Sequence, residues 1–156
     1  MERLDLLYVV CALAFHALLI IHFALRKWRF ATAMRWGWIV YALCVPAAAV
    51  SGVLLLNGRP WAFWTAGFLY LAWGVFGYIV EYRMKIEWRQ PIFWPVFGPY
   101  VLLYLATCMF YWFPLSLLQK SLWYVVAVLF IAGTLLNVTS HGKPKPAAPA
   151  PRGPAD

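Results

Sequence analysis

The chain has 156 residues, 65% apolar and 12% charged, against about 45–50% and 25% in a soluble globular domain. A water-soluble domain of this composition would expose aggregating apolar patches, and five helices of about 20 residues leave no length for a separate soluble domain. The formal net charge of +8 sits in hinges rather than along a groove-lining stripe, so no nucleic-acid partner is expected.

Residues 6–25, 37–56, 61–80, 92–116 and 121–138 contain no Asp, Glu, Lys or Arg. A bilayer core about 30 Å thick is crossed by roughly 20 apolar residues in a helix. The fold class expected is therefore all-α: a polytopic integral membrane protein, a bundle of five transmembrane helices within residues 1–140. Residues 141–156, rich in Pro and Ala, read as a disordered cytoplasmic tail.

The first segment, with the non-basic leader Met-Glu-Arg-Leu-Asp and a long apolar run, reads as a retained span rather than a cleaved signal peptide. It carries His16 near its middle and His22 near its end. Six residues are about 240° of helical rotation, so the two imidazoles do not share a face. An intramembrane histidine is a functional candidate by default, and His16 is the residue that would ligate a haem or chlorophyll-type pigment. Its plainer role is a hydrogen-bonded packing residue, because no other span offers a second histidine.

The second span carries two small-residue pairs, Ala47 with Ser51 and Ala48 with Gly52, and the third carries Gly67 and Gly74. Such residues let helices approach closely in lipid. Pro46 is expected to bend the second helix. Trp73 alone of the ten tryptophans lies deep within a span; the other nine fall at span ends and read as an interfacial belt. Trp73 is therefore kept beside His16 as a cofactor- or ligand-binding candidate.

The third span runs into Glu81-Tyr-Arg-Met-Lys-Ile-Glu-Trp-Arg89. If the helix continues, Glu81 lies over Lys85 and Arg83 over Glu87, pairs that support a protruding helix. The functional alternative places Glu81, with Tyr82 and Arg83, in a cavity as candidate catalytic groups, Glu81 for acid–base work.

The fourth span opens with Pro91, Pro95 and Pro99, and a helix start near Pro99 is expected, with Pro114 ending it. The segment Pro91-Ile-Phe-Trp-Pro-Val-Phe-Gly-Pro-Tyr100, followed by Leu102-Leu-Tyr104, is similar in flavour to the Pro- and Trp-rich start of a helix in the tryptophan-rich sensory protein and translocator protein family. That family binds porphyrins and sterols. There the motif precedes the second span and here the fourth, so the resemblance is confined to these residues and does not make the chain a member.

Ten of the thirteen basic residues lie in the first and third loops and the tail, against Arg3, Arg59 and Lys120 on the other side. The positive-inside rule then puts the N-terminus out and the C-terminus in, in keeping with the bacterial inner (plasma) membrane. The three cysteines, Cys11, Cys44 and Cys108, fall on three spans without a Cys-x-x-Cys pair and imply neither disulfide nor metal.

No phosphate loop, nucleophile elbow or His-Glu-x-x-His pattern occurs. Three readings result. The first is a non-catalytic membrane protein: an accessory subunit docking through small-residue faces, or a binder of an apolar small molecule. The second is a membrane enzyme acting on a lipid or isoprenoid substrate at the cytoplasmic face, and the third is a haem or chlorophyll-type pigment protein.

Overall fold

The computed structural model describes residues 2–86, 88 and 91–140; the tail at 141–156 lies outside the described residues. Five helical segments are long and apolar enough to cross a membrane: α1 (Arg3–Trp28), α2 (Phe30–Leu56), α3 (Trp61–Arg83), α4 (Trp94–Leu118) and α5 (Lys120–Ser140). No strand occurs among the described residues beyond a single isolated bridge position.

Neighbouring segments pack α2 on α3 and α3 on α4, while α5 lies mainly against α1. Across the bundle α1 faces α3 through large rings, with Tyr8 against Phe63 at 5.1 Å between centroids and Phe15 against Tyr70 at 4.8 Å. Tyr111, Trp73 and Tyr104 extend this stack towards α4. Bulky rings hold α1 and α3 apart, and small residues bring α2 and α3 together. The Ala47 and Ser51 pair meets Gly67, whose N–H donates to Ser51 Oγ at 3.1 Å. One side of the bundle end is tied by Arg59, which pairs with both Glu2 and the nearly buried Asp5. The other is tied by Lys27, which donates to Thr139 across α1 and α5.

α2 is not one rod. Its helical pieces are Phe30–Trp36, Trp38–Ala42 and Cys44–Leu56. The interruption at Leu43 falls just before Pro46, which has no N–H to give the Ala42 carbonyl. The interruption falls where Pro46 is expected to disturb the helix. The buried Val40 carbonyl beside the break accepts the Tyr70 hydroxyl from α3.

Three expectations need correction. α4 starts at Trp94 rather than Pro99: Pro95 occupies the first turn, where its missing N–H has no partner to lose, and Pro99 forfeits only the bond to Pro95. Next, α3 does not run on as a solvated helix. Its last stretch, Ile79–Arg83, widens into a π turn, Met84 N–H bonds the Ile79 carbonyl, and Lys85 takes φ 51°. The chain therefore reverses at Lys85, and the Glu81 and Lys85 register pair does not form; the Arg83 and Glu87 pair falls outside the described residues. Finally, Trp88 is no belt residue. It is buried between Val80 and Val96, 4.7 Å from the Tyr100 ring.

Lys85 holds the left-handed position that normally ends a helix with glycine. Lys85→Gly is expected to raise stability by about 1 kcal/mol, since a side chain in that region carries a penalty of roughly that size. Unfolding of the detergent-solubilised protein checks it, and no gain would mean that the reversal is not set by this residue.

Candidate functional site

The residues that gather polar groups and open space together lie where α2 crosses α3. Gly74 and Gly77 are nearly one turn apart on α3. A Cβ on Gly74 would stand 2.8 Å from Cys44 Sγ, and one on Gly77 would stand 2.5 Å from Tyr41 Cε1. Hydrogen at Gly74 admits Cys44 and the Tyr41 carbonyl, and hydrogen at Gly77 leaves room for the Tyr41 ring, which is buried. There its hydroxyl donates to Glu81 Oε2 at 2.8 Å. The Tyr100 hydroxyl is 3.0 Å away. Because the single Tyr41 proton is committed to the carboxylate, Tyr100 donates to Tyr41. Rings close the cluster: Trp73 at 5.5 Å from Tyr41, Tyr82 at 6.0 Å, and Tyr78 stacked on Tyr82.

On the outer side of the same crossing is a groove of about 350 Å³, lined by Trp38, Tyr41, Ala42, Cys44, Val45, Gly74, Val75, Tyr78 and Ile79. Its walls are apolar apart from the tyrosine hydroxyls, the indole and a thiol. Its volume falls at the small end of the range of ligand pockets, and few polar groups line it.

The sequence candidates divide. Glu81 is brought into the hydrogen-bonded cluster, half-buried, in the middle of the π turn. Tyr82 stands beside it, its hydroxyl close to Gly37 and His22. Arg83 is exposed and lies on the outside of α3. Trp73 forms the inner wall behind Tyr41; its Nε1–H has no hydrogen-bond partner among the described residues. His16 lies apart from the groove, 2% exposed, against Phe15. Its Nδ1 is 2.9 Å from the Ala12 carbonyl. A carbonyl only accepts, so the proton is on Nδ1, and Nε2 is an acceptor with no partner among the described residues. No group of three His, Cys, Asp or Glu capable of holding a metal occurs among the described residues, and the three cysteines are free.

Tyr41 and Tyr100 were not legible as site residues. A tyrosine within an apolar run has no distinguishing spacing; the available signal was Gly74 and Gly77 on the facing helix, which leave room for a ring.

These features define an all-helical protein with five helices of membrane-spanning proportions and a groove at one helix crossing. No protein-family model, curated protein or solved structure matches the chain.

Proposed function

We propose that the chain is a non-catalytic integral membrane protein that binds an apolar small molecule in the groove between α2 and α3. It crosses a plasma membrane five times, with the N-terminus out and the basic end in. The observation that carries the reading is the groove itself, about 350 Å³ with nearly all its lining apolar. Its outer rim is formed by Val45, Val75 and Ile79, which are 42–63% exposed. In a bilayer that rim opens sideways to lipid, the direction from which an apolar ligand arrives.

A membrane enzyme is the second reading. It is supported by the Glu81 carboxylate, which accepts from Tyr41, a groove residue, and would serve as the acid–base group for a substrate in the groove.

Photocrosslinking with a neutral long-chain diazirine alcohol tests the binding. Label is expected to concentrate on the peptides carrying Trp38–Val45 and Gly74–Ile79. Val75→Trp, which fills the groove from its rim, is expected to reduce that label at least tenfold. Labelling spread over all five helices in proportion to their exposure would overturn the proposal.

A further inference from the structure

The groove continues into charge. On α2 its wall is Trp38, Tyr41, Ala42 and Val45, spaced by three and four residues and so on one face. Three residues before Trp38, across the interruption at Gly37, is the exposed Arg35. On α3 the wall is Gly74, Val75, Tyr78 and Ile79, and one turn further, across the π turn, stands the exposed Arg83.

The two helix ends are held side by side, since a Cβ on Gly37 would meet the Tyr82 hydroxyl at 2.7 Å. Arg35 has its guanidinium 5.6 Å from the centre of the Trp36 ring. Neither arginine has a carboxylate partner among the described residues, where the ion pairs are those of Arg59. Glu81 is the one described carboxylate at this end, and it accepts from Tyr41.

An apolar trough with two exposed guanidiniums beyond its end, neither paired with a described carboxylate, matches an amphiphile with an anionic head. Guanidinium forks suit phosphate oxygens, and the half-exposed rings of Trp38 and Tyr78 suit the level where an acyl chain gives way to its head group. We propose that the occupant is an anionic phospholipid of the surrounding bilayer. Its phosphate lies between Arg35 and Arg83, and one acyl chain runs past Tyr78 and Val75 to Val45. This rests on the apolar-ligand reading of the same groove.

The test compares two probes with the same oleoyl chain, lysophosphatidic acid and monoolein, titrated into the full chain in a neutral detergent and counted as bound mass by native mass spectrometry. The phosphate probe is expected to bind at least tenfold more tightly. Arg35→Gln with Arg83→Gln is expected to reduce it to the affinity of monoolein. Lys27→Gln with Arg29→Gln, removing equal charge at the same end but off the groove, leaves it within twofold. Val75→Trp abolishes binding of both probes, and inorganic phosphate does not compete.

Equal affinity of the two probes overturns the anionic ligand and leaves the apolar groove standing. Binding of neither overturns both. If the off-groove pair weakens binding as much as the groove pair, the attraction belongs to the whole basic surface and the site is refuted. Competition by inorganic phosphate refutes the lipid in favour of a free anion.

Discussion

Gly67→Ala is expected to lower stability by about 3 kcal/mol, the upper end of the range for overpacking, while Gly52→Ala is neutral or stabilising. Both glycines belong to the small-residue faces of α2 and α3, and by sequence alone they are equivalent. In the fold they are not. A Cβ on Gly67 would collide with Ser51 Oγ and with the backbone carbonyl of Ala47. A flexible side chain could rotate away, but a helix carbonyl cannot, so α2 must withdraw from α3. The withdrawal also breaks the bond from Gly67 N–H to Ser51. In lipid there is little hydrophobic drive to pull the helices together again, because the alternative contact is with acyl chains as apolar as the side chains. Gly52 has no heavy atom within 4 Å of its Cβ direction, and alanine is the better helix former by about 1 kcal/mol. Unfolding in mixed micelles of increasing denaturing-detergent fraction reads both. Equal midpoints for the two variants would mean that α2 and α3 are not in close contact at Gly67, and the groove two turns further along would lose its floor.

How far the sequence carried is clear from particular residues. Bilayer length and charge-free runs are coarse, cumulative signals, and they located all five helices. The Ala47 and Ser51 face with Gly67 was also legible, because close approach at small residues needs no knowledge of the partner's position. Signals that depend on one backbone turn were not legible. Three prolines spaced by four do not reveal which of them tolerates a missing N–H, and the answer was Pro95 in the first turn with Pro99 inside the helix. The register of Glu81 over Lys85 assumed 3.6 residues per turn, and the π turn at Ile79–Arg83 with left-handed Lys85 removed that assumption. Trp88 shares its position near a span end with the tryptophans of the belt, yet the reversal at Lys85 folds it inward onto Tyr100. For the site, Glu81, Tyr82 and Trp73 were singled out by polarity or depth. Tyr41, which joins them, carries neither mark.

The second large effect is expected at Trp73. Its ring is 2% exposed and stands within 6.4 Å of five others, those of Phe15, Tyr41, Tyr70, Tyr100 and Tyr104. Trp73→Ala is expected to cost about 3–5 kcal/mol, the usual range for emptying an aromatic site in a packed core. It should also weaken ligand capture, because Tyr41 loses the wall that holds its ring over Gly77. Trp73→Phe separates volume from polarity. It keeps an aromatic ring in the stack and removes an N–H that has no hydrogen-bond partner among the described residues. A buried donor without a partner costs roughly 1–3 kcal/mol, so its removal offsets much of the lost packing and the phenylalanine variant should stay within about 1 kcal/mol of the natural chain. The pair of unfolding midpoints decides between two accounts of the core. If phenylalanine is tolerated and alanine is not, Trp73 acts by filling space behind Tyr41. If phenylalanine is as damaging as alanine, the indole N–H is satisfied in the working protein by an acceptor outside the described residues.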